Sequence, residues 1–230
     1  MIAVAVIVAA GKSVRFGDAI KVLTPLLDRP ALAWTLDAFQ QSERVDEIVV
    51  VVGEHSQVPI AELIELGQWT RVTKVVLGGA TRQHSMANGV DAVRADADVI
   101  LVHDAARPLV TPAQIDATIV AALVSGGAIL AAPVIDTIKR VTDGVITETI
   151  DRSTLWQAQT PQTFTAIHLR EMAALAVSGE VQMTDEASLA EHLGYPVTIV
   201  PCDATNLKVT HPHDVIVATA ILQARKESDE

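Results

Sequence analysis

An uninterrupted apolar run spans Ile2 to Val8, and short segments rich in apolar and β-branched residues recur at Glu47 to Val52, Val72 to Leu77, Val99 to His103, Gly127 to Pro133 and Val197 to Pro201. The first predicts a strand buried on both faces, Glu47 to Val52 a second buried strand, and the others further strands of the same sheet. Between and after them, apolar residues at helical spacing predict helices over Ala31 to Gln40, Gln57 to Leu66, Arg82 to Val93, Pro112 to Val124, Ala166 to Val177, Asp185 to Leu193 and Pro212 to Arg225. Pro30 is placed to start the first of these helices. Thr184 is read as the N-cap of the helix at Asp185, with Asp185 and Glu186 favourable in its first turn. Strand and helix in regular alternation predict an α/β fold, a Rossmann-like, mostly parallel twisted sheet with helices on both faces.

The alternation breaks between Asp136 and Asp151. That segment is too polar for a core, and its β-branched residues flank Asp143-Gly144, a strong two-residue hairpin signal. A hairpin leaving a doubly wound domain exposes unpaired edges. It is therefore expected to be a protruding arm, at about residues 136–153, that packs on a second copy of the chain as a dimerisation element.

With 230 residues, half of them hydrophobic, the chain can bury the core of one large domain. A net charge of -11 argues against a general nucleic-acid binder. It does not argue against a small anionic substrate, since a local group of Arg and Lys outweighs a distant surface. One cysteine, Cys202, leaves no internal disulfide and fits a reducing compartment. The first strand has no basic start and leads straight into a charged glycine loop, so it is not read as a signal peptide. No stretch is long and apolar enough for a membrane span. A cytoplasmic protein without a membrane partner is expected.

The candidate chemistry sits where strands end. The first strand stops in Ala9-Ala10-Gly11-Lys12-Ser13, with Arg15 and Lys21 following. Free amides and two cations beside a glycine suit a polyphosphate. A Walker A loop is excluded because Val6 stands where its first Gly is needed. The dinucleotide fingerprint is excluded by Ser13 and Phe16 at its second and third Gly positions. Gly78-Gly79 lets backbone lie against a flat base, and Ser85 adds a hydroxyl near the next helix. At the fourth strand end, Asp104 stands near Arg107. Hydroxyl binding is the favoured reading for Asp104, with an ion pair to Arg107 and metal ligation as the others. Ligands of open α/β sheets bind beyond the carboxyl ends of strands, so these clusters are expected to share one crevice. His103, Cys202, Trp34 and Trp156 are read as packing residues, and His211 and His213 as capping or solvated ones rather than a metal pair.

Taken in order, these motifs are joined by Ala132-Pro133-x-x-Asp136-Thr137-x-Lys139, Asp151-Arg152, Gln159-Thr160-Pro161-Gln162, Thr184-Asp185-Glu186-Ala187-Ser188 and Lys208-Val209-Thr210. The set, spanning nearly the whole chain, resembles the 2-C-methyl-D-erythritol 4-phosphate cytidylyltransferase family of the non-mevalonate isoprenoid pathway. The resemblance implies a single nucleotidyltransferase domain over 1–230 that transfers CMP from CTP to methylerythritol phosphate and releases pyrophosphate. It implies that Arg15 and Lys21 stabilise charge on the transferring and leaving phosphates. Ala9, Ala10, Gly11, Lys12, Ser13, Gly78, Gly79, Ala80 and Ser85 would hold CTP. Asp104, Ala105, Arg107 and Thr160 would meet the acceptor hydroxyls, with Ala105 also beside the nucleotide and Thr184 also at the acceptor. Arg152 and Lys208 would position the sugar phosphate, joined by Thr137. Thr137 and Arg152 would come from the hairpin of a partner subunit. Mg²⁺ would be held mainly by triphosphate oxygens, with no dedicated protein ligands. Ser13 and Ile20 depart from the family's usual Gly and Pro, the loop before Lys21 is one residue shorter than in many members, and Ala80 stands at an often acidic position. The chain ends soon after its last helix, so no fused cyclodiphosphate synthase domain is expected.

Two other readings differ from this one. Ribitol-5-phosphate cytidylyltransferases tend to carry Leu-Ala-Gly-Gly and Asp-Ser-Val-Arg where this chain has Ala9-Ala10-Gly11 and Asp104-Ala105-Ala106-Arg107. A CTP-binding regulator without turnover is the reading from another class.

Overall fold

The computed structural model describes residues 1–11, 20–179, 181 and 184–228. In chain order the strands are β1 (Ala3–Ala9), β2 (Pro25–Leu26), β3 (Arg29–Pro30), β4 (Glu47–Val52), β5 (Val72–Leu77), β6 (Val99–Asp104), β7 (Gly127–Pro133), β8 (Ile138–Thr142), β9 (Val145–Ile150), β10 (Trp156–Thr165) and β11 (Thr198–Pro201). The helices are α1 (Ala31–Gln41), α2 (Gln57–Gly67), α3 (Arg82–Asp91), α4 (Pro112–Ser125), α5 (Ala166–Ser178), α6 (Glu186–Leu193) and α7 (Pro212–Ser228).

Strand β1 lies inside a seven-stranded sheet of order β11-β7-β10-β6-β1-β4-β5. It pairs in parallel with β4 and β6. Its apolar run has no polar gaps because both faces are covered. Ala3, Ala5, Ile7 and Ala9 point into one cluster with Leu32, Leu36 and Phe39 of α1 and Ile115 and Ile119 of α4. Val4 and Val6 point into the other, with Met86 and Val90 of α3 and Leu169 and Met172 of α5. Side chains alternate with period two along a strand, so one run feeds two cores. Among the described residues, no helix is long and apolar enough to cross a membrane.

The sheet is mostly parallel, as expected, and holds an antiparallel strand that the pattern did not predict. Strand β10 runs opposite to both neighbours, β6 and β7. Its residues Gln159, Thr160, Gln162 and Thr163 are buried polar side chains around Pro161, a composition typical of a loop. Tertiary partners make it a strand, as when Thr163 Oγ1 donates to Thr118 Oγ1 at 2.8 Å. The β10–β7 register shifts between Ala158 and Gln162, so Gln159 and Thr160 leave the ladder.

The Asp136 to Asp151 hairpin forms as expected, with Asp143 and Gly144 at φ of 49° and 79°, as a two-residue primed turn requires. It is a sheet of its own, exposed along almost its whole length. The cap of α6 differs from expectation by one residue. Asp185, not Thr184, is the N-cap, and its carboxylate accepts from Ser188 N–H at 3.0 Å. Asp185 takes that place because its backbone is fully extended while Glu186 is already helical. Trp156 is exposed on β10 rather than packed.

Candidate active site

Three loops leave the carboxyl ends of strands β1, β5 and β6 and meet at one mouth. A Cβ on Gly78 would stand 2.6 Å from both Ala10 Cβ and Ser85 Oγ, so this contact between the first two loops needs glycine. Ser85, in the first turn of α3, accepts from Gly79 N–H at 3.1 Å and donates to Thr81 O at 2.9 Å. Its hydroxyl is thus committed to shaping the 78–81 loop. The cleft between the loops has a volume of about 350 Å³. Lys21 lines it from a short 3₁₀ turn whose Val22 is buried.

A second cleft of about 270 Å³ lies beside the first, lined by Arg107, Thr160, Thr184 and Gln162 among others. Arg82, Asp104 and Lys208 line both. They form the wall between the clefts. Arg82 Nε donates to Asp104 Oδ1 at 3.2 Å and Lys208 Nζ to Asp104 Oδ2 at 2.7 Å. Burial opposes charge on this carboxylate, yet Arg82 and then Lys208 outweigh it and hold Asp104 well below the usual carboxylate range. The ion pair of Asp104 with Arg107, one of the alternative readings of that motif, does not form, since Asp104 pairs with Arg82 and Lys208 instead. Arg107 turns its guanidinium to Asn206 O at 2.8 Å, and its Nε is a buried donor with no partner among the described residues.

Behind Asp104 sits His103, fully buried. Asp104 N–H donates to Thr160 Oγ1 at 3.0 Å. The Thr160 hydroxyl then donates to His103 Nδ1 at 3.1 Å, and His103 Nε2–H to Arg107 O at 3.2 Å. This chain of bonds needs a neutral ring. Burial, against the pull of Asp104, pushes the His103 pKa down from 6.5 to about 3. The folded form therefore excludes a proton that the unfolded chain binds below pH 6.5. Stability is fully present above that pH and falls, by about 1.4 kcal/mol per pH unit, as pH drops toward the folded value. Thermal unfolding followed from pH 7 to 4.5 should show that decline, and His103→Asn should flatten it. An equal slope in the variant would assign the acid sensitivity elsewhere.

The family model described as "IspD: 2-C-methyl-D-erythritol 4-phosphate cytidylyltransferase" matches residues 3–224. A relative of that name from Syntrophotalea carbinolica is 43% identical over 218 residues, covering 93% of both chains. One from Parasynechococcus marenigrum is 44% identical over 224 residues, covering 96% of this chain and 98% of the relative. The chain belongs to the 2-C-methyl-D-erythritol 4-phosphate cytidylyltransferase family. Its fold is similar to the crystal structure of 4-diphosphocytidyl-2C-methyl-D-erythritol synthase from Anaerococcus prevotii. That match has a TM-score of 0.86 at 27% identity and covers 96% of this chain and 98% of that one.

Of the positions that the cytidylyltransferase resemblance singles out, Ala9, Ala10, Gly11, Lys21, Gly79, Ala80, Ser85, Asp104 and Lys208 line the first cleft. Arg107, Thr160 and Thr184 join Asp104 and Lys208 at the second. Gly78 lines an adjoining space of about 640 Å³ with Ala10 and Gly53. Ala105 lines neither cleft. It is fully buried, its N–H donates to Val8 O at 3.1 Å and its carbonyl accepts from Thr35 Oγ1 at 3.2 Å. Ala106 reaches the first cleft in its place. Thr137 and Arg152 stand exposed at the base of the arm and line neither cleft. Lys12, Ser13 and Arg15 lie outside the described residues.

Sequence reasoning missed Arg82, Glu186 and Gln162 as site residues. Gln162 and Glu186 stand inside motifs that carry the cytidylyltransferase resemblance and Arg82 lies between Gly79 and Ser85, but from sequence Glu186 is legible only as a favourable charge on its own helix. For a divalent cation, the donor set is thin. Among the described residues, no group of three or more His, Cys, Asp or Glu side chains could hold a metal. Asp104 already holds two cations. Such a site fits an ion whose remaining ligands are phosphate oxygens and water.

Proposed function

We propose that this cytidylyltransferase transfers CMP from CTP to 2-C-methyl-D-erythritol 4-phosphate, giving 4-diphosphocytidyl-2-C-methyl-D-erythritol and pyrophosphate. The observation that carries the reading is the pair of clefts sharing the Arg82–Asp104–Lys208 wall. A nucleotide in the first and a sugar phosphate in the second would meet at that wall.

The attacking atom is a phosphate oxygen of the acceptor. It bonds to the α-phosphorus as the bond from that phosphorus to the bridging oxygen breaks, and pyrophosphate carries off the electron pair. A phosphate monoester has its second pKa at about 6, so the nucleophile is ionised at neutral pH and needs no general base. Both reactants are anions, so the protein's task is alignment and neutralisation. Lys21, with Arg15, supplies charge at the transferring and leaving phosphates. The amides around Ala9 to Gly11 and Gly78 to Ala80, with Lys12 and Ser13, hold the nucleotide. Lys208 and Arg107 receive the acceptor's phosphate end and hydroxyls, with Asp104, Thr160 and Thr184 as further polar partners. Mg²⁺ held mainly by triphosphate oxygens would add neutralising charge there when bound.

Thr137 and Arg152 reach neither cleft of their own chain, and the arm exposes Val141, Val145 and Ile146, with Ile135 exposed at its root. Both facts support a homodimer in which each arm completes the other chain's second cleft. The 1–230 span then acts as one catalytic domain with an arm at 136–153.

Pyrophosphate release, measured with CTP and a panel of acceptors, tests the reading. Methylerythritol phosphate should be the fastest acceptor. Faster turnover of ribitol 5-phosphate would move the chain to the other activity, and CTP binding without turnover of any acceptor would make it a regulator.

A further inference from the structure

Arg82 occupies a position that helix energetics disfavours. It is the first residue of α3, directly after the N-cap Thr81. The N-terminus of a helix carries partial positive charge and favours anions there, not cations. Something other than α3 must hold Arg82.

That partner is Glu186, the first residue of α6, reaching from the far side of the second cleft. Arg82 Nη1 donates to Glu186 Oε1 at 2.7 Å and Nη2 to Oε2 at 3.1 Å, a fork-on-fork pair. Nε of the same guanidinium is left to reach Asp104. Glu186 is 1% exposed. Its backbone is pinned as firmly as its side chain. Gln162 on β10 accepts from Ala187 N–H at 2.8 Å and donates to Asp185 Oδ2 at 2.9 Å. The start of α6 is thereby fastened to the sheet, and the carboxylate cannot drift without breaking those bonds.

The consequence falls on Asp104. Its two oxygens face two cations of unequal freedom. Lys208 is a flexible chain whose side chain is 39% exposed. Arg82 has its two Nη atoms already claimed, so it offers Asp104 a single, directed contact. Released from Glu186, the guanidinium would be free to form its own two-pronged pair with Asp104. That would turn the carboxylate away from Lys208 and from the second cleft.

We propose that Glu186 is a positioning residue for cytidylyl transfer, acting through Arg82 to fix the Asp104 carboxylate at the wall between the clefts. The proposal rests on the function given above and adds a role to a residue that lines neither cleft. Buried ion pairs are poor stabilisers, and apolar pairs of similar volume often replace them without loss. Fold stability alone gives no reason for two charges here.

Steady-state kinetics of the full chain tests this, with wild type assayed first. Wild type without turnover on any acceptor would unseat the proposed function itself, an outcome separate from any defect confined to the variants. Given an active wild type, Glu186→Gln should lower kcat/KM for the acceptor by about 10²-fold, as sub-ångström to ångström misplacements do. Its KM for CTP should stay within a few-fold. Glu186→Asp, which keeps the charge but retracts it, should lose about tenfold in the same constant. The double variant Arg82→Met/Glu186→Met removes the pair without stranding a charge. It should unfold near the wild-type temperature yet remain as slow as Glu186→Gln. If Glu186→Gln fails to fold, the aspartate and double variants carry the comparison alone. Wild-type constants in Glu186→Gln, or a double variant that regains turnover together with its unfolding temperature, would overturn the proposal and leave the pair purely structural.

Discussion

Lys21→Ala should turn over CTP about 10²–10³-fold more slowly than the parent chain, the effect of removing one well-placed donor from a preorganised anionic site. The side chain projects from a turn whose neighbours are fixed in the core. Val22 is buried and Leu23 packs against the same cluster as Ile7 and Leu36. The ammonium therefore approaches the first cleft on a short, anchored leash. Charge on the leaving pyrophosphate grows as its bond to the α-phosphorus breaks, so the loss should appear in kcat more than in the KM for CTP. Lys21→Arg should recover little, because a planar fork does not reproduce a point charge at one oxygen. Stopped assays of pyrophosphate release give both constants. A Lys21→Ala chain running at the parental rate would remove Lys21 from the reaction.

Arg152→Ala should be the second large loss, about 10²-fold in turnover of the acceptor by the same reasoning about donors to phosphate. Its more telling property is complementation. Arg152 donates to the carbonyl of Ile135 at the root of the arm, so its direction follows the arm. If each arm serves the other chain, a mixed dimer of Arg152→Ala and Lys21→Ala chains holds one site with both defects and one with neither. Random exchange of the two inactive variants should restore about one quarter of parental activity, as two-fold symmetry requires. Mixtures that stay inactive after exchange, shown by subunit labelling, would mean that the arm serves its own chain or none.

The legible parts of this protein are those whose signal is local. Runs such as Val4 to Val8 and Val49 to Val52 show their burial directly, because parallel strands covered on both faces carry no polar residues. Asp143-Gly144 specifies its turn through backbone conformations open to few other pairs. The loop clusters at Ala9, Gly78 and Asp104 are placeable because each follows such a strand. Strand β10 is not legible. Gln159, Thr160 and Gln162 look like loop, and they become buried strand only by finding Asn206, His103 and Asp185 far away in the chain. The cap expected at Thr184 is off by one position, since Thr and Asp are both good caps and only the backbone at Asp185 decides between them.

By itself the sequence determined the helices, the parallel strands, the two-faced core, the hairpin and the family, all written in neighbouring residues or in motifs read one after another. Tertiary structure alone decided the wall between the clefts. Arg82 meets Asp104 across 22 positions and Glu186 across 104, as Lys208 meets Asp104 across 104. Nothing near Glu186 in the chain announces an arginine. Such partners follow from the order in which strands assemble, with β10 inserted between β6 and β7 and α6 fastened to it by Gln162. A carboxylate takes its charge partner from what the fold sets beside it, and periodicity along the chain carries no record of that.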